Sequence, residues 1–431
     1  MSELYTTRTT CRVCGNNSLD DILFLGNQYV VNFPEAQDGE EHARSPLQLV
    51  LCDRDKGGCG LLQLRHTFSH SKLYEKYWYR SGMNQTMIDE LVGIAHTSEK
   101  MAGLKEGDYV VDIGSNDSTL LRGFQTKGIH TVGFEPSKNI GVKYGQEGVT
   151  KVFHDFFTYE PWQKEFGEVK AKIITAIAMF YDLEDPNQFM EDVVKCLDDD
   201  GLFVVQQNYL PSVLERNVVD NISHEHVEYF SLTTFKYLMD KFDLEIFDAE
   251  LNDVNGGCMR TYIRKKGKGS AMNIREGAMA RVEEILKKED EMGLNDKDTY
   301  DKFAKRLNDN KSKLKAFIKK ETESGKKVYA YGASTRGNSL LQFSELDASL
   351  IVAAAERNPD KWGLKMVGTN VPIVSEADAR EAKPDYFLVL PWQFLPEFVK
   401  RESEYLRAGG KFIVPLPNPS LVVADGTKTE L

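Results

Sequence analysis

The 431-residue chain is poor in cysteine, with six, which excludes a fold stapled by a disulfide framework. Long hydrophobic runs are missing too. Stretches such as Leu350-Ile-Val-Ala-Ala-Ala355 stop far short of the ~20 apolar residues that cross a bilayer. There is no basic excess either: 54 Lys and Arg stand against 66 Asp and Glu, a net charge of -12. A protein that grips phosphates along nucleic acid usually has the opposite sign, so neither nucleic acid nor a membrane is expected as a partner. The opening Met-Ser-Glu-Leu-Tyr5 lacks a basic-then-apolar stretch, so no secretory signal is expected and the location reads as cytoplasmic. What remains, 41% hydrophobic and 28% charged residues, describes a soluble chain long enough for roughly two or three domains.

Four of the six cysteines come in pairs, Cys11-Arg-Val-Cys14 and Cys52 with Cys59. Four thiolates can close a tetrahedral shell around one Zn²⁺. Gly15 and Gly60 supply the backbone freedom that such tight turns need. The alternative is four free structural thiols. A shell of Cys11, Cys14, Cys52 and Cys59 leaves no open position for substrate, so the zinc is expected to be structural.

The patterning predicts an α/β chain in four segments. Residues 1–80 hold the cysteines and short strand-like runs, Leu47–Leu51 and Leu61–Leu64. Residues 81–265 alternate apolar strands with helical patterns, as a mostly parallel Rossmann-like sheet does. Residues 266–325 are rich in Lys, Glu and Asp, with Met279, Val282, Ile285 and Leu286 at helical spacing, and read as solvated linking helices. Residues 326–431 begin a second Rossmann-like α/β pattern, and Asp425–Leu431 reads as a frayed end.

Tyr109-Val-Val-Asp112-Ile-Gly114-Ser-Asn116-Asp117 reads as strand, turn, helix. A dinucleotide loop wants three glycines where pyrophosphate meets the helix, and this turn has one. S-adenosylmethionine (SAM) carries no phosphate and tolerates it. Asp112 or Asp117 can face its ammonium group. Glu135, at the end of the next strand about 20 residues on, can accept both ribose hydroxyls. Asp155, where a third strand would end, falls near the adenine. The alternative is an ordinary turn with surface acids.

Further on, Ser223-His224-Glu225-His226 brings together two of eight histidines around a carboxylate. A histidine oriented by a carboxylate is a general base near neutral pH; structural hydrogen bonds are the other reading. In the last segment, Tyr331-Gly332-Ala-Ser334-Thr-Arg336-Gly-Asn338 ends a strand in a glycine turn that opens a helix. Its amides suit a phosphate, with Arg336 adding charge, or the turn serves packing alone. Trp392 can stack on a base or sugar, or simply pack.

The order of these motifs resembles the SAM-dependent sugar C-methyltransferases of deoxysugar biosynthesis over nearly the whole chain. The resemblance is carried by Cys11-x-x-Cys14, Cys59-Gly-Leu-Leu-Gln-Leu64, Tyr77-Trp-Tyr79-Arg-Ser81-Gly82, Gly114–Asp117, His224-Glu-His226, Asn255-Gly-Gly257, Tyr331–Asn338 and Leu390-Pro-Trp392. It implies a zinc domain, a SAM domain and a C-terminal Rossmann-like domain that holds the diphosphate of a nucleotide-linked 4-keto sugar. His226 would remove the proton beside the ketone, with Glu225 orienting it and His224 alongside. Tyr79 would line the site with Tyr77 and Ser81. Ser334, Arg336, Asn338 and Trp392 would hold the nucleotide. The small-molecule partner is thus a nucleotide sugar, and the assembly a monomer or homodimer. Three departures from the family stand out: Ser223 where Tyr is common, Ala178 with Asp182 where Asn and His stand, and Ser118 where Gly follows Asn-Asp. The first two change the donors around the sugar. O- or N-methylation of another small molecule, or a binding protein that keeps the fold without catalysis, are the alternatives.

Overall fold

A computed structural model describes residues 4–31, 33, 42–74 and 77–431, without the side chains of His70 and Ser71. Leu47, Leu49 and Leu51 alternate inward, the period of a half-buried strand. They make Arg44–Cys52 the centre of a four-stranded antiparallel sheet with Leu19–Tyr29 and Leu62–Leu64. The fourth strand arrives from far along the chain: Glu228 pairs with Gln63 and Tyr229 with Leu62. The Leu61–Leu64 run therefore reaches directly to the residues that follow His226.

The central sheet has seven strands. Val110, Val111, Ile113, Ile173, Ile174, Val204 and Val205 are all buried, the continuous apolar pattern of strands covered on both faces. Its order is Leu244–Asn252, Cys258–Lys265, Leu197–Asn208, Ala171–Ile177, Tyr109–Ile113, His130–Phe134 and Lys151–Phe153. The last five are parallel and Cys258–Lys265 is antiparallel to its neighbours. Tyr109–Ile113 comes first in the chain and lies between Ala171–Ile177 and His130–Phe134. Chain order reverses there, and such switch points open a crevice at the carboxyl ends of the strands. The helix Gln85–Ala102, capped by the Asn84 side chain and ended by left-handed Gly103, covers one face.

The C-terminal sheet repeats this scheme. Val328–Tyr331 lies between Ala354–Glu356 and Tyr386–Val389, with Ile373–Ser375 and Lys411–Val414 outside them, all parallel. Two antiparallel edge strands, Ser420–Val422 and Lys428–Glu430, complete it. The expected fraying of Asp425–Leu431 is corrected by this hairpin, in which Leu431 N–H also reaches Pro419 O.

The charged segment before it forms helices Ala278–Glu291 and Lys297–Glu323, the second about 40 Å long at 1.5 Å per residue. They are not solvated links. Tyr300, Phe303, Leu307, Leu314 and Ile318 form a buried stripe within the core that also holds Leu49 of the N-terminal sheet and Leu388 of the C-terminal sheet. Val282 and Ile285 are buried as expected, but Met279 is 50% exposed. The stripe runs through Ala278, Val282, Ile285 and Glu289, which turns the residue after Ala278 outward. Among the described residues no helix is long and apolar enough to cross a membrane.

Candidate active site

A cavity of about 1470 Å³ lies where the two switch points and the N-terminal module meet. Single ligand sites run to roughly 1,000 Å³, so this one has room for two. One wall is the turn Gly114 and Asn116 with Glu135. A second is the aromatic segment around Tyr77, Tyr79 and Ser81. The third is Ser223 to His226, and the fourth is the turn Gly332 to Arg336 with Glu356 and Arg357.

On the first wall, Gly114 adopts φ +71°, and a Cβ there would lie 3.1 Å from the Met179 side chain. Only glycine takes this turn without strain. Glu135 accepts Asn116 N–H (2.8 Å) and Ser137 N–H (2.7 Å). Burial raises its carboxyl above the ordinary value. Its position, with spare lone pairs at the crevice of the switch point, suits a ribose diol. These residues fit SAM: a glycine turn at a strand end, a clamped acid, and apolar Ile140, Phe156 and Phe157 lining the space beside it.

Four other residues expected here have different surroundings. Asp112 is 4% exposed, accepts Thr175 Oγ1 at 2.6 Å, and is lifted to about 7 by burial; it sits beneath the turn and does not line the cavity. Asp155 is exposed and caps its own neighbour, Phe156 N–H, at 2.8 Å. Its two phenylalanine neighbours face the cavity instead. Asp117 accepts Gly82 N–H (2.8 Å) and Thr119 Oγ1 (2.6 Å). Asn116 borders the cavity but is committed: Oδ1 accepts Ser81 N–H (3.0 Å) and Nδ2 donates to Tyr79 O (3.1 Å). The Asn-Asp turn thus clamps the aromatic wall. Gly82 permits the approach, because a Cβ there would lie 2.6 Å from Asp117 Oδ2. Asn116→Ala is expected to cost about 1–3 kcal/mol of stability through the orphaned groups, measured by denaturant unfolding, and to raise protease sensitivity at Tyr79–Gly82.

On the third wall, His226 Nδ1 lies 2.7 Å from Asn221 O. A carbonyl only accepts, so Nδ1 carries the proton and Nε2, which borders the cavity, keeps its lone pair. Burial and then nearby Arg336 lower the imidazole to about 4, against the hydrogen bond to Asn221. The Tyr181 ring stands edge-on to it at 4.6 Å. Glu225 was expected to orient this ring. It makes no hydrogen bond among the described residues, and burial alone raises its carboxyl to about 7; Asn221 does the orienting. His224 is buried, with Nε2 3.0 Å from Ser45 O, and fastens the loop to the N-terminal sheet. Ser223 Oγ is buried without a partner among the described residues. Asp182 Oδ2 accepts Tyr74 O–H at 2.9 Å. Tyr77 exchanges hydrogen bonds with Asn139 through its backbone (3.1 and 2.8 Å), while Tyr79, 44% exposed, borders the cavity.

On the fourth wall, Ser334 caps the helix Thr335–Phe343, its Oγ accepting Gly337 N–H at 2.9 Å. Arg336 is already paired: Nε lies 3.0 Å from Asp220 Oδ2 and a terminal nitrogen donates to Asn255 O at 2.7 Å. Trp392 donates Nε1–H to the same Asp220 oxygen at 3.2 Å and packs near Gly256, outside the cavity lining. Asn338 is fully buried behind the turn, with both amide atoms unpartnered. So Arg336 and Trp392 tie the seam between the sheets through Asp220, Arg336 while also lining the cavity, and Asn338 lies behind the turn. Two groups absent from the sequence reading take the open positions. Glu356 ends the second strand of this sheet and accepts Ala333 N–H (2.8 Å), Arg357 N–H (2.8 Å) and Asn358 N–H (2.9 Å), as Glu135 does in the central sheet. Its spacing after the glycine turn could have revealed it. Arg357 is exposed and lines the cavity, with no acidic partner among the described residues.

Cys11, Cys14, Cys52 and Cys59 bring their Sγ atoms within 4.8 Å of one another, with Cys11–Cys59 at 3.6 Å and Cys14–Cys52 at 3.5 Å. Tetrahedral Zn–S bonds of ~2.3 Å require sulfurs ~3.8 Å apart, so the group fits one zinc ion. Between the first two, buried Arg12 donates to Gln63 Oε1 (3.1 Å), Leu64 O (2.6 Å) and Thr67 Oγ1 (2.6 Å), fixing the knuckle to the sheet.

Three family models match consecutive stretches: "Putative zinc binding domain" over residues 11–74, "Methyltransferase domain" over 79–249, and "C-methyltransferase C-terminal domain" over 253–417. The chain is 28% identical over 429 residues to C-methyltransferase NovU of Streptomyces niveus, covering 99% of this chain and 100% of that one. Among solved structures, the plantazolicin methyltransferase BpumL in complex with SAH matches 41% of this chain and 82% of its own at 10% identity, TM-score 0.33. The mitomycin 7-O-methyltransferase MmcR matches 42% and 55% at 17% identity, TM-score 0.32.

Proposed function

We propose that the chain, which matches family models for a zinc-binding, a methyltransferase and a C-methyltransferase C-terminal domain, is a SAM-dependent C-methyltransferase that methylates a nucleotide-linked keto sugar at the carbon beside the ketone. The observation that carries this reading is His226, with Nε2 held as a bare lone pair at the cavity by the Nδ1–Asn221 O bond of 2.7 Å. A hydrogen beside a carbonyl is removed by such a base.

When bound, SAM supplies an electrophilic methyl group. Gly114 and Glu135 bind it at the first switch point, Glu135 accepting from the ribose. The sugar ring lies between His226 and Tyr79. Its nucleotide extends to the second switch point, where the first-turn amides of Thr335–Phe343 and the Arg357 guanidinium face the diphosphate and Glu356 accepts from the pentose. A cavity of about 1470 Å³ accommodates both molecules. The clamped aromatic wall keeps water from the base.

The test is incubation with labelled SAM and a panel of TDP- and GDP-4-keto-6-deoxy sugars. Label passes to at least one sugar under this reading. Tight SAM binding with no transfer to any member contradicts it.

A further inference from the structure

On the proposed enolate chemistry, electron density moves from a C–H bond to the ketone oxygen, which needs a donor. The obvious cation near the base, Arg336, is held by Asp220 at 3.0 Å and by Asn255 O. We infer that Asp182 is the acid partner of His226, donating from Oδ1 to the ketone oxygen as the enolate forms. This rests on the keto-sugar reading.

Asp182 ends the short turn Phe180–Asp182, which runs beside the catalytic loop: Tyr181 O accepts Val227 N–H at 2.9 Å. Its Oδ2 accepts Tyr74 O–H at 2.9 Å. Its Oδ1 is buried without a partner among the described residues, and the residue borders the same cavity as His226. A carboxyl with one oxygen engaged as acceptor places its proton on the other. That O–H then has no acceptor among the described residues. An independent sign that the wall awaits a ligand is Ser223 Oγ, on a residue 7% exposed, lining the same cavity and equally unpartnered.

The surroundings favour the neutral acid. The groups facing Asp182 are Tyr74, Tyr77, Tyr181 and Tyr229 and the acids Glu225 and Glu228, while among the described residues no lysine or arginine pairs with it. Burial first, then the Glu225 charge, holds its carboxyl well above the ordinary range. Two carboxylates without a cation cannot both ionise cheaply in such a site.

In the step, the C–H proton goes to His226 Nε2 and its electron pair forms the C=C bond. The carbonyl π pair moves to oxygen, which receives the Asp182 hydrogen bond. When the α-carbon takes the methyl group from SAM, the C=C pair forms the new C–C bond, the methyl–sulfur bond breaks with its pair left on sulfur, the oxygen pair returns to re-form C=O, and Asp182 keeps its proton. The donor is present below its raised pKa and is lost as pH rises through it, so enolisation has an alkaline limit set by Asp182.

Two measurements test this. Infrared difference spectra of wild type minus Asp182→Asn at pH 7, without substrate, show loss of a protonated-carboxyl C=O band. Hydrogen–deuterium exchange beside the ketone, followed by NMR with the same sugar panel, falls about 100-fold in Asp182→Ala. Asp182→Asn keeps a donor, retains part of the rate and loses the alkaline limb. No band lost, or exchange in Asp182→Ala equal to wild type, overturns the inference. A wild-type enzyme that exchanges no proton from any sugar overturns the keto-sugar reading itself, whatever the infrared spectra show.

Discussion

Replacing His226 with alanine leaves SAM affinity unchanged and lowers methyl transfer by about 10²–10⁴-fold. The size follows from the role: proton removal from carbon depends on the Nε2 lone pair of His226. His224 donates Nε2–H to Ser45 O at 3.0 Å, which fixes its ring to the N-terminal sheet. Glu225 borders the cavity, but burial raises its carboxyl to about 7, which leaves it partly protonated near neutral pH. His226 itself is lowered to about 4, chiefly by burial. Its neutral form is the active one, so kcat/KM rises through roughly pH 4 on the acid side and holds until the Asp182 proton is lost on the alkaline side. The same shift acts on stability. The unfolded imidazole takes up its proton near its ordinary pKa of ~6.5, the folded one only near 4. The stability that His226 and His224 contribute is thus complete above about pH 6.5 and is lost as pH falls toward 4. Isothermal titration with SAM and a pH series of initial rates check both statements; a His226→Ala enzyme within tenfold of wild type contradicts the assignment.

Removing the zinc, or changing Cys59 to serine, is expected to unfold the N-terminal sheet. Zinc binding by such knuckles is coupled to folding and reaches roughly 10–16 kcal/mol in small zinc modules, as large as the whole stability of an ordinary domain. Activity falls as a consequence, by a traceable route. Cys52 N–H bonds Leu61 O at 2.9 Å, and Leu64 N–H bonds Val227 O at 2.9 Å. Glu228 and Tyr229 pair with Gln63 and Leu62, and the Arg12 guanidinium holds Leu64 O at 2.6 Å. The loop that carries His226 therefore runs directly into Glu228–Tyr229, the outer strand of the zinc-pinned sheet. Chelator treatment followed by metal analysis, limited proteolysis and assay gives parallel loss of zinc, of the protected N-terminal fragment and of activity. A folded, zinc-replete Cys59→Ser protein contradicts the four-thiolate shell.

The parts of this molecule readable in the sequence are those fixed by local chemistry. Paired cysteines, the single glycine of the Gly114 turn, Glu135 about 20 residues beyond it, and the His-Glu-His run each announce themselves through spacing. Three things did not. The commitments of polar side chains depend on distant partners: Asn116 and Asp117 hold Tyr79–Gly82, and Arg336 and Trp392 share Asp220 across a seam between two sheets. The orienter of His226 is a backbone carbonyl, and no residue type signals which carbonyl will serve. The helices Ala278–Glu291 and Lys297–Glu323 looked solvated because charge dominates their composition, yet a five-residue stripe suffices to bury one face. Glu356 was legible and overlooked: it repeats the strand, glycine turn and terminal acid of the central sheet.

The central claim is methyl transfer to carbon. Its most direct test is NMR of the product made with SAM carrying an isotopically labelled methyl group and whichever 4-keto sugar of the panel turns over. The account predicts a labelled methyl bonded to the ring carbon beside the ketone, with one ring hydrogen lost there. A labelled methyl on oxygen or nitrogen, with that ring hydrogen retained, contradicts it.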